Sequence, residues 1–176
     1  MRIFTAISLP KQIKDSVSGL TRGRLPIPYI NTTNLHMTLN FFGELSDAEV
    51  EKAKNGFLRI ANGLKGFAVE FEAVKKFHQQ IHLAVKSSQQ LIELQEKLEK
   101  EFEYLGFRFQ DRKFYPHVKL GNLHMDNVMN RQRKLENFPN EELKKINFYA
   151  DQIALYESKL LLHHPKYILL EQALLS

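Results

Sequence analysis

A chain of 176 residues is long enough to bury a sizeable core within one domain, and 43% hydrophobic against 26% charged residues is the balance of an ordinary globular protein. The lack of any cysteine excludes disulfides, thiolate metal sites and a cysteine nucleophile. Twenty-five basic against 20 acidic residues leave a net charge of +5, an excess that favours a polyanionic partner only weakly.

The chain opens with a strand-like run over residues 4–9. It is too short for a signal-peptide core, and no segment approaches the roughly 20 apolar residues of a membrane span. A cytoplasmic protein is therefore the expectation. A short helix is predicted next, with Pro10 suited to its first turn and Ile13, Val17 and Leu20 on one face. A loop with Gly23, Pro26 and Pro28 leads into residues 35–41, where apolar and polar residues alternate strictly, the period of a half-buried strand. Ser46 and Glu49 form a capping-box pattern ahead of Val50, Ala53, Phe57 and Ile60 at helical spacing. A strand over residues 67–71 follows.

The same order then recurs. Residues 81–85 read as a strand. Ser87 with Gln90 predicts a second capped helix, whose stripe of Leu91, Leu94, Leu98, Phe102 and Leu105 can end at Gly106. A loop carrying Arg112, Lys113 and Pro116 enters a second His-bearing strand over residues 117–120. A weaker helix is expected from Asp126 to Phe138, with strands around residues 146–156 and 167–170. The two strand histidines stand 81 positions apart and the opening strands 78 (Ala6 to Ala84), a spacing that suggests an internal duplication. The expected architecture is a single α+β domain of two pseudo-symmetric lobes, antiparallel sheet with helices packed outside and a central cleft. Two interleaved pseudo-repeats would cover roughly residues 1–80 and 81–176.

Because side chains i and i+2 of a strand share a face, Leu35, Met37, Leu39 and Phe41 should point to the core and His36, Thr38 and Asn40 to the other side. Val118 and Leu120 likewise turn inward and leave His117 and Lys119 side by side. If the lobes are related by a pseudo-two-fold, these faces meet across the cleft. Such a set suits phosphoryl chemistry. Imidazole titrates near 6.5, so one ring can be neutral and accept a proton while the other is protonated and donates one. The Thr38 hydroxyl and Lys119 ammonium would hold the non-bridging phosphate oxygens. A histidine on a strand is, taken singly, most often a hydrogen-bonded or surface residue; two at equivalent places in similar halves are harder to set aside.

The residues that carry this reading resemble the paired signatures of the two-histidine phosphoesterase superfamily. They are closest to its LigT-like branch, the RNA 2′,3′-cyclic phosphodiesterases also called 2′-5′ RNA ligases. The first signature stands in Asn34-Leu35-His36-Met37-Thr38-Leu39-Asn40-Phe41-Phe42-Gly43, and Phe114-Tyr115-Pro116-His117 opens the second. Flanking agreement at residues 2–6 and 155–160 extends the resemblance over the chain. It implies two α+β lobes around a cleft, with no metal and no organic cofactor. It also implies opening of RNA-terminal 2′,3′-cyclic phosphates to a 2′-phosphate, and for some members the joining of ends through a 2′-5′ bond. His36 would protonate the departing 3′-oxygen and His117 would activate water. RNA termini or small cyclic nucleotides are the implied partners, with no membrane and no obligate protein partner. The sequence departs from the pattern at Lys119, where the family has Thr or Ser, and at Asn122, where Arg is common. Lysine binds phosphate as a flexible point charge. That departure keeps open an RNA-end or nucleotide-binding protein of weakened catalysis, and a phosphodiesterase or ligase acting on 2′-5′ linkages.

Other features are weaker. His78 and His82 have the i, i+4 spacing of metal ligands on a helix, but their surroundings read as turn and strand, and no third ligand is evident. His163-His164-Pro165 reads as a polar turn. Arg131, Arg133 and Lys134 suit an RNA backbone or simply a solvated helix face. Tyr29, Phe42 and Tyr115 can stack on a base or pack internally.

Overall fold

The computed structural model describes residues 1–27, 32–110, 113–123, 128–161 and 165–176. Tyr29, Arg112, Asp126, the side chain of Arg131 and His163-His164 lie outside what it describes. The strands are β1 (Arg2–Ser8), β2 (His36–Glu44), β3 (Phe67–Phe77), β4 (Gln80–Val85), β5 (His117–Asn122), β6 (Asn147–Ala150), β7 (Gln152–Leu160) and β8 (Pro165–Leu174). The helices are α1 (Lys11–Thr21), α2 (Asp47–Ala61), α3 (Gln89–Tyr104), α4 (Val128–Glu136) and α5 (Asn140–Leu143). Among the described residues no helix is long and apolar enough to cross a membrane.

Eight strands form an antiparallel sheet in the order β6-β3-β4-β5-β2-β1-β7-β8. Its narrowest join is the seam between β2 and β5, where Met37 opposite Val118 is the single registered pair. Outward from that seam, β1 and β4 come next on either side, then β7 and β3, then β8 and β6. The units β1–α1–β2 and β4–α3–β5 thus occupy equivalent places, and each side of the sheet draws strands from both halves of the chain.

The helices form where their apolar stripes can be covered. On α2, Ser46 accepts from the Glu49 backbone while the Glu49 carboxylate accepts from Ser46, the complete capping box, and Val50, Ala53, Phe57 and Ile60 are buried. Helix α3 buries Leu91, Leu94, Leu98 and Phe102, but its cap is Ser88 rather than Ser87: the Ser88 hydroxyl accepts from the Leu91 backbone at 3.2 Å. Gly106, at φ +89°, turns the chain away after α3 in a conformation that disfavours any side chain. These stripes meet one face of the sheet. Across β4-β5-β2-β1 a single row of Leu83, Val118, Met37 and Ile7 is at most 1% exposed.

Two register shifts against β1 alter the expected alternation in β2, one leaving Phe42 extra and the other placed nearer the site. The latter lies between Thr5 and Ala6: Ala6 pairs with Thr38 but Thr5 with Asn40, so Leu39 is the extra residue of a bulge. The bulge reverses the faces beyond it. Asn40, expected beside His36 and Thr38, is instead 3% exposed, accepting from the Thr5 hydroxyl and donating to Glu99 on α3. Phe41, expected in the core, is 41% exposed, and Phe42 takes its place against Phe102, Phe107 and Phe109. Of the two readings open to Phe42, stacking on a base or internal packing, the structure shows internal packing.

Candidate active site

The row that faces the helices fixes what lies on the other side. Met37 and Val118 are opposite each other and point into the core, so their strand neighbours point out together. Continuing the antiparallel register by one residue sets Thr38 opposite His117 and His36 opposite Lys119. The ladders on either flank extend the two outer rows: Ala6 pairs with Thr38 and Ala84 with His117, Ser8 with His36 and His82 with Lys119. All four predicted site residues, His36, Thr38, His117 and Lys119, therefore share one patch astride the seam. The two imidazoles sit diagonally across the strand pair, a relation that sheet geometry places at about 7–8 Å between backbones. They are close enough for the charge of His117 to act on His36.

Both rings are held by the same device. Nδ1 of His36 donates to the carbonyl of Asn34 at 2.6 Å, and Nδ1 of His117 donates to the carbonyl of Tyr115 at 2.7 Å. That bond fixes the tautomer when the ring is neutral and leaves Nε2 as the proton-exchanging atom. The Thr38 hydroxyl lies 3.1 Å from His36 Nε2, so it donates to the neutral ring and marks where a second oxygen can sit.

The environments of the two rings differ. His36 lies against Phe4 at 5.0 Å and the edge of Tyr167 at 4.9 Å. Burial, with added repulsion from Lys14 and His117, holds its pKa down at about 4 despite the opposing bond to Asn34. In the free site at neutral pH this imidazole is uncharged. His117 stacks with Tyr115, at 5.7 Å and 25°, and with His82, at 4.1 Å and 17°. Beside His36 opens a cavity of about 290 Å³ lined by Ser8, Asn34, Tyr156, Lys166 and Tyr167 among others. A separate groove of about 600 Å³ carries Arg24, Arg133 and Lys134 but none of the four predicted site residues.

Three site residues escaped the sequence reading. Lys14 reaches back from α1, donating to the Ser8 hydroxyl at 3.2 Å and the Thr33 carbonyl at 3.0 Å. Its pKa, like that of Lys119, is lowered by burial. Ser8 ends β1 in the same row as His36. The turn-and-strand reading of His78 and His82 agrees with the structure, but assigns His82 no place in the site. His82 lies on β4, whereas His78 sits in the β3–β4 turn at φ 51°. Asn122, at the far end of β5, pairs with Gln80.

Residues 9–160 match the family model described as the 2′-5′ RNA ligase superfamily. The chain is 26% identical over 132 residues to an RNA 2′,3′-cyclic phosphodiesterase of Thermotoga maritima, covering 70% of each chain. It is 24% identical over 179 aligned positions to one of Methanocaldococcus jannaschii, covering 98% and 99%. Its fold is that of E. coli LigT crystallised with 3′-AMP: TM-score 0.76 at 22% identity, with 99% and 98% of the two chains covered.

Proposed function

The chain belongs to the 2′-5′ RNA ligase superfamily, and from that membership we propose that it hydrolyses the 2′,3′-cyclic phosphate at an RNA end to a 2′-phosphate, with His36 and His117 as acid and base. The observation that carries this reading is the shared posture of the two rings: each is pinned through Nδ1 to the carbonyl two residues upstream, on adjoining strands, which leaves Nε2 as the proton-exchanging nitrogen. The relatives named RNA 2′,3′-cyclic phosphodiesterase support the substrate class. On this reading the strands on either side of the β2–β5 seam are the two lobes, and the cleft lies over the seam.

Nε2 of His117 takes a proton from water as its oxygen attacks phosphorus. The bond from phosphorus to the 3′-oxygen breaks, and protonated Nε2 of His36 supplies the proton that oxygen needs, leaving the 2′-ester. Because the free His36 is neutral, its proton must arrive with substrate: the negative phosphate offsets the burial and the repulsion that otherwise keep it off. A low-pKa imidazole charged in this way is a strong acid at the moment of need. Thr38 and Lys119 hold the non-bridging oxygens, and Lys14 adds positive potential.

A short RNA ending in 2′,3′-cyclic phosphate, incubated with and without chelator, tests this. The 2′-phosphate isomer is expected in both, with turnover lower by roughly 10²–10⁴-fold in His36→Ala and His117→Ala. Full activity after either replacement overturns the assignment. The Lys119 ammonium favours a second reading, an RNA-end binder of weakened catalysis, which salt-sensitive binding without turnover would support. Activity on a 2′-5′ linked dinucleotide in the same panel would shift the substrate within the same chemistry.

A further inference from the structure

His82 lies among the site residues, yet the reaction as proposed gives it no proton to move. It is 3% exposed, in the row of the sheet that holds Lys119 and His36. Nε2 donates to the side-chain oxygen of Gln80 at 2.9 Å, and Nδ1 is buried with no hydrogen-bond partner among the described residues. An unpartnered buried nitrogen is tolerable as a bare lone pair but costly as a charged N–H, so this bonding pattern describes a neutral ring. Its electrostatic surroundings agree. His117 and Lys119 face it from β5, and Lys75 is its paired neighbour on β3. Burial first, then the positive charge of those β5 groups, holds its pKa down at about 4.

The ring geometry gives that neutrality a use. Phe77, His82, His117 and Tyr115 are linked by three successive near-parallel ring contacts, with centroid spacings of 5.8, 4.1 and 5.7 Å. His117 packs near-parallel against two other rings and is anchored at Nδ1, which leaves Nε2 as the nitrogen it can offer. A neutral imidazole can lie at 4.1 Å from a ring that must become positive during turnover, whereas a charged one would repel it.

We propose that His82 is the positioning residue of the second histidine: an uncharged ring that clamps His117 against Tyr115 and holds its Nε2 in line with the phosphorus. This rests on His117 being the base. The clamp acts through shape, so removing it lowers kcat rather than raising KM, and a flat apolar ring restores it.

Three forms of the full-length protein test this: the parent, His82→Ala and His82→Phe. Each is assayed on RNA with a terminal 2′,3′-cyclic phosphate, with the His117 ring resonances followed by NMR and folding checked by thermal melt. His82→Ala is expected to lose about 10- to 100-fold in kcat with KM within threefold, the scale set by misplacing a reacting group. Its His117 C2 proton should move as the ring current of the stacked face is lost. His82→Phe should recover kcat to within about threefold of the parent. Unchanged kcat with an unmoved His117 resonance in His82→Ala overturns the proposal. So does a His82→Phe enzyme that folds as well as the parent and is as slow as His82→Ala. If the parent turns over no cyclic phosphate, the functional reading fails while the His117 resonance still reports whether His82 holds that ring.

Discussion

Acidification should destabilise this protein through imidazoles held neutral on folding, and the partly buried His36 allows the effect to be sized. Its folded pKa is about 4, against an ordinary value near 6.5. A group depressed on folding contributes stability that is complete above the unfolded value and disappears as pH falls through the folded one. The window here therefore runs from about pH 6.5 down to pH 4. Between pH 8 and pH 5 the linkage amounts to about 2 kcal/mol, rising to about 3 kcal/mol once both states are protonated. Urea unfolding of the parent and of His36→Asn at pH 8 and pH 5 isolates this contribution from that of the carboxylates. At about 1–3 kcal/mol per molar urea, the parent's midpoint should fall by roughly 1 M more than the variant's. Inorganic phosphate, by favouring imidazolium, should shrink the parent's excess loss and raise the pH at which the His36 C2 proton titrates. Equal losses in parent and variant, within about 0.5 kcal/mol, would refute the claim that burial keeps His36 neutral.

Two further outcomes follow from particular contacts. Lys119→Met should raise KM for a cyclic-phosphate RNA by about tenfold and flatten the dependence of log KM on log salt, since one phosphate-binding cation is gone; unchanged salt dependence would remove Lys119 from the phosphate. Asn40→Ala should lower folding stability by about 1–3 kcal/mol in urea titrations, because Thr5 and Glu99 lose their buried partner. It should leave KM within twofold, since Asn40 faces the helices and not the site.

The sequence patterns that proved most legible were local. Alternation over residues 35–38 set the faces of His36 and Thr38, and the Ser46–Glu49 pattern located the start of α2 to the residue. What escaped was set by distant pairing. Nothing within residues 35–42 announces the bulge at Leu39, because its second strand is β1 and the mismatch exists only between the two. Ser87 and Ser88 offer the same hydroxyl to the same helix, and local sequence alone does not distinguish them; the structure caps α3 with Ser88. His82 carried one usable signal: it is in phase with Ala84, so an antiparallel β4–β5 pairing carries it beside Lys119. Lys14 had none, since only the return of α1 beside the start of β2 brings its ammonium near His36.

The anchoring of both rings through main-chain oxygens has an evolutionary corollary. Every amino acid carries a carbonyl, so mutation of residue 34 or 115 leaves the acceptor in place as long as the strand entry keeps its course. The Nδ1 anchor is thereby insulated from drift at residues 34 and 115, although at residue 115 the aromatic ring that packs on His117 is not. Asn34 is free to spend its amide on the Pro165 carbonyl, and Tyr115 its ring on the face of His117.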